Sequence, residues 1–92
     1  MSVEFEWDDD NVEHLAGHGI SPEEAEQVLS GPSVRTRGGT RAPDRFRALG
    51  RTTGGRYLLL ICQLKSGGLI RPFSGWEMRP HERQLYERQS KG

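Results

Sequence analysis

The order of hydrophobic and polar residues predicts a helical beginning to this chain, after one short extended segment. Residues 3–7 alternate with a period of two, which is typical of a strand. Asp8 or Asp9 can then cap a helix, and Gly17 and Gly19 would end it. The apolar positions that would form the buried stripe of this helix are Val12, Leu15 and Ala16.

A second helix has clear signals at both ends. Ser21 is a good N-cap, Pro22 suits the first helical position, and Glu24 can complete a capping box with Ser21. Gly31 and Pro32 would stop the helix. Its inward-facing residues are predicted to be Ala25, Val28 and Leu29.

The pattern then changes to extended segments separated by glycine-rich turns. The predicted strands are 33–37, 45–52, 57–64 and 69–74, with a flexible loop at 38–43. The segment 57–64 is apolar on both faces, which indicates a central strand. Pro72 indicates an edge position or a gap in the ladder for the last strand. A final helix is predicted from Pro80 to about Gln89.

Short turns between successive strands require antiparallel pairing. The chain of 92 residues is therefore predicted to form one α+β domain over residues 1–92. We expect two N-terminal helices, an antiparallel sheet of three to four strands, and a C-terminal helix.

Charge is divided sharply along the chain, although the formal net charge is zero. Residues 1–32 contain nine acidic residues and no Lys or Arg, which gives −9. Residues 33–92 contain all 13 Lys and Arg and only four acidic residues, which gives +9. Such asymmetry indicates a surface that binds a polyanion such as nucleic acid, unless the acidic third folds against the basic part and neutralises it.

Most of the basic residues are arginines, the residue best suited to bidentate phosphate recognition. In the segment 45–52, Phe46 and Ala48 would face one side of the sheet and Arg45, Arg47 and Arg51 the other. This favours a basic sheet face opposite an acidic helical face. If the acidic helices covered these three arginines, the proposal that the protein binds RNA would lose its main physical support.

Two histidines are spaced as on one face of a helix. His14 and His18 could act in acid–base chemistry, but His18 could equally cap the end of the helix. The pair also has metal-ligand spacing, yet a zinc site needs a third ligand, so we expect no metal and no cofactor. The single cysteine, Cys62, lies in the apolar segment and is predicted to be a buried structural thiol.

Two blocks of the sequence resemble the BrnT family of bacterial toxins. The first runs from Phe5 through Asn11, His14 and His18 to Ala25, and the second from Leu69 to Tyr86. The resemblance implies a RelE-like fold and a metal-independent endoribonuclease that arrests growth. It also implies a cognate antitoxin, typically of the ribbon-helix-helix type, with DNA contacted only through the antitoxin complex.

The implied cleavage needs cations for the charge on phosphorus and groups that transfer protons. The cationic role is assigned to Arg71 and Arg51, with Arg79 in support. His18 is the first candidate for acid–base chemistry, followed by Glu77 and Tyr86. The residues predicted to bind RNA are Arg45, Arg47, Arg56 and Trp76.

Other functions stay open at this point. Trp76 and Gly17 stand where the resemblance implies basic residues, which favours a non-catalytic toxin-like module that binds protein or nucleic acid. A nonspecific nucleic-acid binder is a third reading of the basic segment. The acidic start without an apolar run predicts no signal peptide, and no segment is apolar enough to span a membrane, so we expect a cytoplasmic protein.

Overall fold

The computed structural model describes residues 3–37 and 42–90, which form an α+β domain as predicted. A single turn of 3-10 helix, Ser66–Gly68, joins the last two strands. Residues 38–41, in the predicted loop, lie outside the described residues. The helices and strands follow in the order α1 (Asp9–Gly17), α2 (Pro22–Ser30), β1 (Val34–Thr36), β2 (Arg45–Arg51), β3 (Tyr57–Leu64), β4 (Ile70–Glu77) and α3 (Pro80–Ser90).

The four strands form one antiparallel sheet in the order β1-β2-β3-β4. Strand β3 lies between β2 and β4, which confirms the central position predicted from its apolar residues. Strand β4 is at the edge, where the missing N–H of Pro72 costs least.

Helices α1 and α2 pack on one face of the sheet. Buried side chains from both helices, the loop between them and three strands form this first core, and they are Leu15, Ile20, Ala25, Val28, Leu29, Phe46, Ala48, Leu58, Leu60, Cys62 and Ile70. Helix α3 packs on part of the opposite face, where Tyr86 contacts Leu49 and Leu59. Alternate side chains of β2 and β3 point to opposite faces of the sheet, so these two strands contribute residues to both cores.

Both N-terminal helices begin with a capping box. The carboxylate of Asp8 accepts a hydrogen bond from the backbone N–H of Asn11, and the side chain of Asn11 accepts one from the N–H of Asp8. Ser21 and Glu24 form the same arrangement at α2, as predicted. Such caps contribute about 1 kcal/mol each to helix stability.

The buried face of α1 differs from the predicted stripe. Leu15 is buried, but Val12 is only half-buried and Ala16 is exposed, while Asn11 is buried instead. Asn11 can be buried because its amide donates hydrogen bonds to the carbonyl oxygens of Pro72, at 2.7 Å, and Glu6, at 2.9 Å. A polar residue therefore joins α1 to the edge of the sheet.

The predicted strand at residues 3–7 was wrong. This segment makes only one parallel bridge, between Phe5 and Ile70. The N–H of Glu6 donates to the carbonyl of Ile70 at 2.9 Å, and the N–H of Ile70 donates to Glu4 at 3.0 Å. The segment lies along the edge of β4, but its pairing is too short to form a strand.

Strand β4 is longer than predicted because Gly75 continues it. A Cβ atom on Gly75 would lie 2.7 Å from the carbonyl oxygen of Leu59 and 2.9 Å from Cδ2 of Leu60. Glycine is needed here for the close approach of β4 to β3, and it does not mark a turn. The strand therefore runs on to Glu77 and places Trp76 in the sheet.

Candidate nucleic-acid interface

The acidic helices and the arginines of β2 lie on opposite faces of the sheet. Phe46 and Ala48 point into the core that α1 and α2 cover. Arg45, Arg47 and Arg51 alternate with them and point to the other face, which we call the basic face. Helix α3 covers only part of this face, and the predicted arrangement of β2 is confirmed.

Three arginines of the basic face surround two aromatic rings. The guanidinium carbons of Arg51 and Arg83 lie 5.0 Å and 3.9 Å from the ring centroid of Tyr57. That of Arg79 lies 5.0 Å from the centroid of Trp76. We call these five residues the Arg–aromatic cluster. Each distance is within the range of a cation–π interaction.

The β2–β3 hairpin sets the position of the first pair in the cluster. Arg51 and Tyr57 are partners in the ladder, on either side of a turn at residues 52–56. Within this turn, Gly55 has a φ of 91°, a conformation that glycine adopts without strain. Tyr57 also contacts Tyr86 of α3 edge to face, with centroids 5.9 Å apart.

A buried carboxylate positions the second pair of the cluster, Arg79 and Trp76. Glu82, whose side chain is 7% exposed, accepts hydrogen bonds from the indole N–H of Trp76 at 3.1 Å and the backbone N–H of Arg79 at 2.8 Å. The second bond satisfies a free donor at the start of α3, where Arg79 has no capping side chain to offer. Glu82 thus fixes both the indole and the helix beside it.

The cations of the cluster are accessible to a ligand. The side chains of Arg79 and Arg83 are 61% and 52% exposed, and Arg51 is exposed as well. Arg83 also donates to Glu87 at 3.0 Å, and this hydrogen bond is the main reason why the pKa of Arg83 is raised. Exposed arginines over aromatic rings can bind phosphates while the rings stack with bases.

Arg71 is engaged by the acidic N-terminal segment. Its guanidinium donates to both carboxylate oxygens of Asp8, at 2.7 and 3.2 Å, and to Glu6 at 3.1 Å. The pKa of Arg71 is raised, first by its hydrogen bond to Asp8. These contacts tie the start of the chain to β4 and leave Arg71 a poor candidate for binding phosphate.

Arg56 is engaged in the same way. It donates to Glu24 at 2.7 Å, to Glu77 at 3.2 Å and to the carbonyl oxygen of Gly19 at 3.0 Å. Its pKa is raised, chiefly by the hydrogen bond to Glu24. Arg56 therefore links the end of β4 to the start of α2, and the exposed Glu77 contacts this arginine and not the cluster.

The predicted proton-transfer residues are not placed together. His18 caps the end of α1, with its ring centroid 5.4 Å from that of His14, and α1 lies on the other side of the sheet from the cluster. No contact within residues 3–37 and 42–90 joins His18 to an arginine of the cluster. Tyr86 is buried against Tyr57.

The sheet register also separates the two arginines predicted to act together. Arg51 pairs with Tyr57, whereas Arg71 pairs with Gln63. These positions are six residues apart on β3, or about 20 Å at 3.3 Å per residue. A single phosphate cannot contact both, so the described structure brings together Arg51, Arg79 and Trp76 but not Arg71.

Sequence reasoning missed the roles of Tyr57, Glu82 and Arg83 in this cluster. The hairpin turn could have revealed Tyr57, because a tight turn at 52–56 places Tyr57 opposite Arg51. The roles of Glu82 and Arg83 had no such signal, because they depend on how α3 folds back over the sheet.

The described residues contain neither a cluster of metal ligands nor a helix of membrane-spanning length and hydrophobicity. In those residues, no group of three or more His, Cys, Asp or Glu side chains could hold a metal ion. Nor is any helix in residues 3–37 and 42–90 long and apolar enough to cross a membrane.

Cys62 is buried, and burial raises the pKa of its thiol to about 12, so it is not a nucleophile at neutral pH.

Comparisons with known proteins provide no assignment. No protein-family model matches the chain, and no curated protein matches it.

The contacts of Arg71 predict a pH-dependent contribution to stability. The pKa of Asp8 is lowered mainly by its hydrogen bond with Arg71, and that of Glu6 is lowered by Lys65 first and by Arg71 as well. Lowered folded-state values mean that this stabilisation is present above the unfolded pKa values, near 4, and is lost as the pH falls through the folded values. An Arg71→Gln variant should therefore melt below the wild type at pH 7 and approach it near pH 2.

Thermal unfolding followed by circular dichroism between pH 2 and 7 would measure this difference. Arg37→Gln is the matched control, because it removes an exposed arginine for which the described residues offer no ion pair. A melting difference for Arg71→Gln that stays constant across this pH range would contradict the assignment.

Proposed function

We propose that this protein is an RNA-cleaving toxin of a bacterial type II toxin–antitoxin pair and that it binds single-stranded RNA at the Arg–aromatic cluster. The observation that carries the proposal is the convergence of Arg51, Arg79 and Arg83 on the rings of Tyr57 and Trp76. The resemblance of two sequence blocks to BrnT toxins supports the same function. A cytoplasmic location and a ribbon-helix-helix antitoxin belong to this proposal.

Cleavage would proceed through the RNA's own 2′-hydroxyl group. The 2′-oxygen attacks the adjacent phosphorus, the bond from phosphorus to the 5′-oxygen breaks, and a 2′,3′-cyclic phosphate forms. The 2′-hydroxyl loses a proton to a base, and the leaving 5′-oxygen gains one from an acid. Negative charge grows on the non-bridging oxygens, where guanidinium groups stabilise it.

The Arg–aromatic cluster offers several groups that stabilise negative charge but only one group that can transfer a proton. Its three cations can surround one phosphate, and Trp76 offers an aromatic face to an adjacent base. Within the cluster, Tyr57 is the group that can donate a proton, and the guanidinium carbon of Arg83 lies 3.9 Å from its ring centroid. We assign to Tyr57 the protonation of the leaving oxygen, and to the cations most of the rate enhancement.

A second candidate is a non-catalytic module that binds RNA or an antitoxin. The placement of His18 away from the cluster favours it, because this histidine was the first candidate for acid–base chemistry. The two functions share the binding surface and differ in whether RNA is cut.

Induced expression in a bacterial host separates them. The toxin should arrest growth and degrade RNA, and co-expression of the protein encoded beside it should relieve the arrest. Purified protein should cut single-stranded RNA in the presence of EDTA and leave a 2′,3′-cyclic phosphate end. Intact RNA in both experiments would overturn cleavage, and retained RNA binding would then establish the non-catalytic module.

A further inference from the structure

A β-bulge in β4 places an aromatic ring on the basic face at a second position. Ile61 pairs with Ser74 and Cys62 pairs with Pro72, so Phe73 has no partner on β3. Pro72 is buried toward the first core, while Phe73 lies with its ring 5.1 Å from the guanidinium carbon of Arg45. Bulges redirect side chains in this way, often near functional sites.

The Arg45–Phe73 pair repeats the chemistry of the Arg79–Trp76 pair. In both, an arginine of the basic face stacks on an aromatic ring of β4, at 5.1 and 5.0 Å. Trp76 follows Phe73 by three residues, which corresponds to about 10 Å along a strand. A flexible single strand can therefore contact both rings in succession.

Arg47 lies between these two pairs and has an unused donor. Its Nε atom is buried and has no hydrogen-bond partner among the described residues. In the sheet, Arg47 pairs with Ile61, which pairs in turn with Ser74. A phosphate that links a base on Trp76 to a base on Phe73 would pass over this row. Because the Nε atom is enclosed, the phosphate would pair with the terminal nitrogens of the half-buried Arg47 side chain.

A base stacked on Phe73 would also have polar side chains beside its edge. Phe73 borders a depression between α1 and β4, whose other lining residues are Asp10, Asn11, His14, Arg71 and Ser74. Asn11 and Arg71 are already hydrogen-bonded within the protein, so the donors and acceptors for a base would come from Asp10, His14 and Ser74.

We propose that Phe73, with Arg45 and Arg47, forms a second nucleotide subsite for single-stranded RNA that is bound at the Arg–aromatic cluster. This inference rests on the proposed function, because Trp76 supplies the first stacking position. It predicts that RNA binds across β4 and that affinity rises with length until both rings are covered.

Fluorescence anisotropy with labelled oligoadenylates of two to eight nucleotides tests the subsite. Phe73→Leu keeps an apolar side chain but removes the aromatic face, so it should weaken binding of the octamer by about 5- to 150-fold. Binding of the shortest oligomer should not change, and Phe73→Trp should restore octamer affinity. Arg47→Gln should reduce the slope of log affinity against log salt by about 0.7.

Trp76→Leu is the companion variant, and thermal melting verifies that each variant is folded. Octamer binding by Phe73→Leu that equals the wild type would overturn the subsite, even if Trp76→Leu weakens binding. If Phe73→Leu weakens octamer binding but Trp76→Leu does not, a nucleotide site at Phe73 is retained. The proposal that RNA binds first at the Arg–aromatic cluster is then overturned. A wild type that binds no oligomer overturns both proposals.

Discussion

Replacing Arg51 by alanine is expected to lower the rate of RNA cleavage by about 100- to 1,000-fold, the usual cost of losing one group that stabilises a charged transition state. Arg51 is exposed at the end of β2 and lies over the ring of Tyr57. Its main described contact is with that ring, so its removal should affect charge stabilisation more than folding. Single-turnover cleavage of a short RNA, with melting temperature as a check on folding, measures the effect.

Arg88→Ala is the matched control for this variant. It removes one exposed arginine from the last turn of α3, outside the Arg–aromatic cluster. It should change cleavage by no more than about threefold, because exposed charges at a distance are screened by salt. Equal losses in both variants would show that only net charge matters, and a fully active Arg51→Ala would remove Arg51 from the site.

Replacing Leu60 by alanine is expected to lower the free energy of unfolding by about 2–5 kcal/mol. Leu60 is fully buried on the central strand, in the core beneath α1 and α2. The change removes apolar surface from the core and leaves a cavity that neighbouring backbone cannot fill. Urea unfolding followed by tryptophan fluorescence measures the loss.

The same strand contains a matched control in Leu64. Its side chain is 45% exposed at the end of β3, so Leu64→Ala should change the free energy of unfolding by less than about 0.5 kcal/mol. Similar losses in the two variants would contradict the packing of the helices on this face.

The polarised charge of the chain has two structural consequences. Part of the acidic third neutralises basic residues, since Glu6, Asp8 and Glu24 pair with Lys65, Arg71 and Arg56. The arginines on the outer side of β2 are on the face opposite the acidic helices. Neutralisation thus occurs at the edge of β4 and at the turn between β2 and β3, and the proposed RNA site uses the exposed arginines of the Arg–aromatic cluster.

Local sequence signals determined most of the elements. Both capping boxes, the proline at the start of α2 and the glycine-rich turns fixed where helices begin and strands reverse, because these depend on neighbouring residues. Period-two alternation placed Arg45, Arg47 and Arg51 opposite Phe46 and Ala48. The predicted last strand ended at residue 74, whereas β4 continues to Glu77, because the close approach of Gly75 to Leu59 is a contact between strands that the local sequence does not show.

The sequence by itself determined the α+β class, the order of its elements and the side of β2 on which the arginines lie, because periodicity and caps are local properties. Only the tertiary structure decided which arginines are available. Arg71 and Arg56 are occupied by carboxylates distant in sequence, while Arg79 and Arg83 reach Trp76 and Tyr57 because α3 folds back over the sheet. These pairings join residues from different elements, and periodicity within one segment contains no information about them.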